Sequence, residues 1–286
     1  MALTNVKTGT GFTQVAGAYT PEDLGSLVDV ALKGESAAAR AFTVTSTDRD
    51  QVRYPKLTGN PDVAHYAELD LIQLDDPETD EVVVPIYRTA GATRQSRELA
   101  DDSTPDTAEL VGRALTQQII RSVDAAALGN TTAKGPNGLL STSYTEVDTT
   151  DGLTSLDPFI SAVFAAQANQ GEVTSWIMHP EKAEVLSKLK KQTTGSNEPL
   201  IEIVQDGFRI LGRPVILSTA VDTDTDFWGI SKAHNVLVIR TGTSVERSTQ
   251  SAFLNYAVDV MANFRYGIGF LHEAANVRGY AVPDEG

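Results

Sequence analysis

The sequence predicts an α+β fold, in which helices and mostly antiparallel strands occupy separate stretches of the chain. Three observations predict it. A long apolar stripe at helical spacing runs from Val111 to Ala127. β-Branched and aromatic runs flank a polar excursion between Phe42 and Arg97. After residue 151, short helices and strands alternate before long strands close the chain.

The first twenty residues are rich in Gly, Thr and Ala without periodicity and read as an extended arm. A short amphipathic helix follows. Thr20 stands as N-cap, Pro21 at the first helical position, and Glu22 and Asp23 in the first turn. Leu24, Leu27, Val28, Ala31 and Leu32 then recur at helical spacing up to Gly34.

Val52 and Tyr54 lead into Pro55, and Val82, Val83, Val84, Ile86 and Tyr87 form a strand-like return. Between them lie Gly59, Asn60-Pro61 and the acidic stretch LDDPETDE. A long hairpin with a polar tip fits this pattern, and it has little prospect of burying itself on its own molecule.

Thr104-Pro105-Asp106 repeats the cap chemistry, and the stripe Val111, Leu115, Ile119, Val123, Ala126, Ala127 follows. This is a helix of about 24 residues, roughly 35 Å long, stopped by Gly129-Asn130. Residues 131–151 read as loop, with a turn at Gly135-Pro136-Asn137-Gly138. Asp157-Pro158 caps a helix through Phe159, Ile160, Val163, Phe164 and Gln167. Thr174 to Met178 reads as a strand, and His179-Pro180 opens a helix through Val185, Leu186 and Leu189. β elements flank Gly212-Arg213-Pro214, Val236 to Ile239 is a buried strand, and Ser244 to Ala281 holds long strands. No internal repeat or low-complexity tract interrupts the order.

Composition narrows the function. At 286 residues the chain is one large or two smaller domains, long enough to bury a core without staples. Its 41% hydrophobic and 21% charged residues exclude a disordered chain. No apolar run approaches the roughly 18 residues of a membrane span, and the N-terminus lacks a signal-peptide pattern. A soluble cytoplasmic product is expected. The absence of cysteine removes disulfides, thiolate metal sites and thiol nucleophiles. A formal net charge of -15 argues against a surface that grips nucleic acid, though not against one that encloses it.

Candidate chemistry is sparse. His65, His179, His234 and His272 show no HExxH or HxH spacing, and no GxSxG elbow occurs. Gly267-Ile268-Gly269 begins a dinucleotide fingerprint, but His272 fills the third glycine position. Thr8-Gly9-Thr10-Gly11 lacks the lysine of a phosphate loop. Asp222, Asp224 and Asp226 alternate as in a calcium loop, yet Phe227 and Ala233 stand where Gly and Glu are needed. A solvated acidic loop is the expectation there. The acidic group Asp75, Asp76, Glu78, Asp80 and Glu81 is likewise expected to stay in water, and any further role suits a basic patch on a neighbouring copy better than a metal. Lys188, Lys190 and Lys191 are one candidate for such a patch, the alternative being a solvated helix face. No catalytic, cofactor-binding or metal residue is assigned, and no cofactor is expected. A loose arm and an oversized hairpin favour a self-associating structural protein over an enzyme.

The order of segments resembles the major capsid proteins of tailed bacteriophages with the Hong Kong 97-type shell fold. Ser96-Arg97-Glu98-Leu99-Ala100-Asp101-Asp102-Ser103 is similar to that family's Ser-x-Glu-Leu-x-x-Asp-Ser segment. Asp124 to Gly129 with Gly135 to Leu140 resembles its helix end and following turn. Trp176-Ile177-Met178-His179, with Leu186 and Leu189, resembles its Trp-x-Met-x region, and Leu211-Gly212-Arg213-Pro214-Val215 its Leu-x-Gly-x-Pro-Val turn. The resemblance implies an N-terminal arm (1–40), an extended loop (41–95) and a peripheral domain with a spine helix (96–150). It further implies an axial domain (151–242) and return strands of the peripheral domain (243–286). It implies pentamers and hexamers that close into an icosahedral head around double-stranded DNA in the virion, assembled in the host cytoplasm. Scaffolding, portal and decoration proteins are the partners implied; no membrane is.

Two departures from that pattern set expectations. Some relatives crosslink through a loop lysine, but residues 62–81 hold no Lys, and Lys56 lies on the ascending strand. No crosslink is expected. Many relatives carry a cleaved N-terminal scaffolding region, where this chain has a short arm, so a separate scaffolding protein or none is expected. The alternatives are an encapsulin-type bacterial nanocompartment shell and, from another class, a small α+β hydrolase.

Overall fold

The computed structural model describes residues 34–57, 63–68, 71, 79–98, 107–191, 198–205, 207–248, 250–251 and 253–282. The expected arm, nearly all of the helix after Thr20, the hairpin tip at 72–78 and the cap at Thr104-Pro105-Asp106 lie outside the described residues.

Strands β11 (Asn235–Ser248) and β12 (Ala257–Phe270) are the longest and form the centre of a four-stranded sheet. β1 (Thr43–Thr47) adds to β11 in parallel, and β4 (Tyr87–Ser96) adds to β12 antiparallel. Strict alternation in β12 explains the sheet's two faces. Val258, Val260, Ala262, Phe264, Tyr266 and Ile268 point to one side and are buried, each worth about 1.5–3 kcal/mol for a large side chain. Asp259, Met261, Asn263 and Arg265 point to the other and are half-buried.

The long helix, α2 (Thr107–Leu128), lies in the core with that apolar face. Its stripe is the expected one, with Ile119, Val123, Ala126 and Ala127 buried and Leu115 packed against the cluster. A short helix, α1 (Ala37–Ala41), followed by Phe42, completes this core.

The second sheet has seven strands in the order β5-β13-β10-β6-β9-β8-β7. These are β5 (Thr145–Asp148), β6 (Ser175–Met178), β7 (Glu202–Val204), β8 (Gly207–Ile210), β9 (Arg213–Leu217), β10 (Thr225–Ile230) and β13 (Val277–Tyr280). β6 and β10 are buried on both faces, so neither shows the apolar–polar alternation of a half-exposed strand. One face takes α3 (Asp157–Ala168) and α4 (Pro180–Lys188) around Phe159, Trp176 and Phe227. Phe159 stacks on Phe227 at 4.3 Å and meets Trp176 edge-on at 5.0 Å. The opposite face, through Ile177, Trp228 and Ile230, joins the core of the spine helix.

Leu211 and Gly212 both have positive φ, 51° and 74°, and join β8 to β9 by a two-residue turn. That conformation is the mirror-image turn that suits a hairpin's twist and favours glycine.

The structure corrects several expectations. Residues 131–151 are not all loop: β5 pairs in parallel with β13 as an edge strand, and its alternation is too polar and short to announce itself. Asp157 is the first residue of α3 rather than its cap; Leu156 holds the N-cap position. The buried face of α3 is Phe159, Ala162 and Ala166, while Ile160 and Phe164 point outward. The stretch holding Asp226 is the buried strand β10, not a solvated loop.

Candidate assembly surface

The hairpin expected from the sequence is present as β2 (Gln51–Leu57) and β3 (Thr79–Pro85), paired from Gln51↔Pro85 to Leu57↔Thr79. Its base is better anchored than the sequence suggests. Val84 is fully buried in a cluster with Val236 and Val238, flanked by Val52, Tyr54, Val82 and Ile86. The hydroxyls of Tyr54 and Thr45 meet at 3.2 Å.

Gly267 and Gly269 are the reason the base can lie so close. A Cβ on Gly267 would fall 2.6 Å from the Pro85 carbonyl oxygen, and one on Gly269 would fall 2.4 Å from Val84 Cγ2. The fragment that resembles half a dinucleotide fingerprint is therefore a seat for the hairpin. Beyond the base the strands emerge from the molecule, with Thr79, Asp80, Glu81 and Val83 exposed. Lys56 stands on β2 opposite Asp80.

A second anchor ties α1 to the spine helix. Asp124 is the buried carboxylate of α2's apolar stripe. Its Oδ1 accepts from Ser36 Oγ at 2.6 Å and the Ala38 amide at 3.0 Å, and its Oδ2 accepts from the Ala37 amide at 3.0 Å. Ser36 Oγ in turn accepts from the Ala39 amide. Burial pushes the Asp124 carboxyl above its usual range, against the pull of these donors. The amides at a helix start have no partner within the helix, so this carboxylate supplies one from elsewhere in the chain. Sequence reasoning missed that role, although an acid beside Val123 and before Ala126-Ala127-Leu128 on a buried face was the signal.

The singled-out titratable groups do not form a catalytic centre. His179 caps α4, accepting from the Glu181 amide through Nδ1, and His65 is exposed. His234 and His272, far apart in sequence, come together edge to face at 5.4 Å. His234 hydrogen-bonds Ser231 at 2.9 Å, and His272 Nε2 lies 2.7 Å from the Asn169 carbonyl oxygen. Burial, then the His272 ring, lowers the pKa of His234.

The three aspartates separate. Asp226 pairs with Lys182 at 2.6 Å and accepts from Thr149, Asp222 lies 3.6 Å from Arg278, and Asp224 is exposed. Among the described residues no three His, Cys, Asp or Glu side chains converge as a metal site. Two of the three candidate patch lysines are engaged within the chain. Lys188 pairs with Glu184, and Lys191 with Glu198 at 2.7 Å. Of the acidic group, Glu81 bonds Arg53 at 2.6 Å; Asp75, Asp76 and Glu78 lie outside the described residues.

What the described surface offers is a docked hairpin that leaves its own sheet and a pair of sheets locked by buried contacts. The phage capsid family matches residues 16–279, and the chain belongs to that family. Solved structures agree on the fold. The capsid of an empty GTA particle computed with C5 symmetry superposes with a TM-score of 0.73 at 17% identity, covering 87% of this chain and 90% of that one. A chain from Mycobacterium phage Bobi gives 0.71 at 11% identity, covering 87% and 91%. One from Microbacterium phage Oxtober96 gives 0.70 at 15%, covering 86% and 91%. Among curated proteins, no sequence matches. The protein is a bacteriophage capsid protein of Hong Kong 97-type fold, a structural component of the virion and not an enzyme. With that, the hydrolase alternative falls away.

Proposed function

We propose that this chain is the major subunit of a tailed-phage head, forming pentamers and hexamers that close into an icosahedral shell around double-stranded DNA. The observation that carries the reading is the hairpin. Val84 holds its base on its own sheet, while β3 from Thr79 to Glu81 is exposed and offers edges and side chains to a neighbour. An edge strand left open invites another chain to complete it.

In this reading residues 1–40 are the arm and 41–95 the extended loop, with β1 and β4 at its ends joining the peripheral sheet. Residues 96–150 and 243–286 contribute the spine helix and the return strands of the peripheral domain, and lend β5 and β13 to the axial sheet. Residues 151–242 are the axial domain, with β11 crossing back to the periphery. The net charge of -15 repels packaged DNA and keeps the genome from adhering to the wall. Scaffolding, portal and decoration proteins are the partners of such a shell, assembled in the host cytoplasm. With Lys56 on the strand and none from 62 to 81, the contacts are non-covalent.

Negative-stain electron microscopy of the expressed protein tests this directly. Closed shells or five- and six-fold rings are expected; monodisperse small particles at every salt concentration would refute it.

A further inference from the structure

The face of the four-stranded sheet turned away from the spine helix carries a charge pattern that its own chain leaves open. The register sets Arg88 of β4 opposite Arg265 of β12, and Arg265 opposite Arg240 of β11. Directly opposed residues share a face, so three guanidinium groups start from one line across three strands, about 5 Å from strand to strand. Like charges directly opposite destabilise a sheet. Arg240 is answered by Asp50, and Arg94 further along β4 is answered by Asp259 through both carboxylate oxygens. Among the described residues, no carboxylate pairs with Arg88 or Arg265. Arg88 is exposed and Arg265 half-buried, and the neighbouring rungs of β4 carry Ala90 and Ala92, which leave the row uncovered.

The hairpin begins beside the row. Pro85 and Ile86 lie against Gly267, and Val84 lies against Gly269. From Ile86 back to Val84 the chain thus moves along β12 away from Arg265. Asp80 and Glu81 are exposed on the outer part of β3, paired with Lys56 and Pro55 of β2. Between Asp62 and Glu81 the sequence holds eight carboxylates and no Lys or Arg. The row thus lies beside the base of the hairpin, while the described acids Asp80 and Glu81 stand further out on β3 and are exposed. Neither pairs with Arg88 or Arg265 of its own copy, so a second copy is the partner that can bring such carboxylates to the row.

We propose that Arg88 and Arg265 receive the acidic hairpin of a second copy of this chain. The contact is heterologous, so it repeats from copy to copy and closes only when the rotation allows a ring. It deepens the shell reading above and rests on it for its biological setting. It also replaces Lys188, Lys190 and Lys191 as the basic partner of the hairpin. Pairing carboxylates with the row offsets part of the repulsion between subunits of net charge -15, and salt screens that gain beyond about 8 Å.

Three variants of the full chain test it: Arg88→Glu with Arg265→Glu, Asp76→Lys with Asp80→Lys, and all four changes together. Denaturant unfolding of the dispersed subunit reads the fold, sedimentation reads self-association, and electron microscopy reads shells. The arginine variant is expected to unfold at an unchanged or higher midpoint, because Arg265→Glu sets an opposite charge against Arg240, while the two changes together only exchange one like-charge pair between β4 and β12 for another. Its self-association should weaken by at least about tenfold. The hairpin variant should weaken likewise, and the four-change variant should recover association. Wild-type association by the arginine variant overturns the proposal, as does failure of the folded four-change variant to recover. Shells that form normally but lose only nucleic acid would assign the row to a polyanion instead, and also overturn it. Sedimentation needs no closed shell, so a wild type that associates in a charge-dependent way without building shells would sink the shell reading alone. A wild type monomeric under all conditions would sink both.

Discussion

The seat of the hairpin gives the sharpest test of the fold's logic. Replacing Gly269 by Ala places a methyl 2.4 Å from Val84 Cγ2, where ordinary carbon contacts begin near 3.5 Å. The deficit exceeds 1 Å, and Val84 cannot rotate away easily because a β-branched side chain is stiff and Val236 and Val238 enclose it. Overpacking of this kind costs about 1–3 kcal/mol. Val84→Ala removes two buried methyl groups, about 1.6 kcal/mol of transfer energy with a cavity contribution that brings it to about 2–3 kcal/mol.

In the double variant the clashing Cγ2 is gone, and the next atom, Val84 Cβ, lies 3.6 Å from the new methyl, an ordinary contact. The double variant should therefore be no less stable than Val84→Ala alone, a coupling of about 1–3 kcal/mol. Denaturant unfolding of the dispersed subunit gives the three differences. Hydrogen exchange over Gln51–Leu57 and Thr79–Pro85 shows whether the loss is local to the hairpin. Additivity of the two single changes within about 0.5 kcal/mol would refute the close-seat argument.

Two other anchors make separate predictions. Asp124→Ala leaves the Ser36 hydroxyl and the Ala37 and Ala38 amides without their buried acceptor, so it should cost about 3–5 kcal/mol in unfolding measurements, and Asp124→Asn less. Hydrogen bonds from Arg94 and then Ser251 lower the Asp259 carboxyl to about 2. A depressed carboxylate stabilises fully above its unfolded value of about 3.9, and that contribution disappears as pH falls through about 2. Asp259→Asn should accordingly flatten the stability slope between those values, as read from urea midpoints across the acid range.

The elements legible in the sequence are those whose pattern is local. α2 announces itself by a stripe of 3.6-residue period, β12 by alternation, and the hairpin by two β-branched runs around a polar excursion. β10 escaped because burial on both faces erases alternation, and its Asp226 looked like solvent chemistry until Lys182 and Thr149 met it inside. The outward turn of Ile160 and Phe164 escaped because α3 is apolar around much of its circumference, so the stripe does not choose a side. The arginine row could not be read at all without the register. Arg88, Arg240 and Arg265 become neighbours only when β4, β11 and β12 are aligned, and a slip of one residue would put them on opposite faces.

The junction between the two sheets explains how one chain supports a docked hairpin without letting its halves slide. The chain crosses between the sheets at 129–144, 231–234 and 271–276, and all three crossings meet in one set of hydrogen bonds. Asn235 and Asn276 exchange side-chain amides at 2.6 and 2.9 Å, both fully buried, and Asn235 also bonds the Ser231 carbonyl. Thr145 Oγ1 donates to the Ala274 carbonyl, and the Ser143 amide donates to Glu273. Apolar contact resists separation but tolerates sliding, whereas buried hydrogen bonds are directional and costly to leave unmade. The sheets are thus held in one orientation by groups that are mostly neutral, with His234 kept toward its neutral form by burial and by His272. Charge is spent instead at the hairpin and on the open sheet face, where it meets water or another copy. A hydrogen-bonded, largely neutral joint inside, and charge left unpaired among the described residues of the open sheet face, is the division that the proposed contact between copies requires.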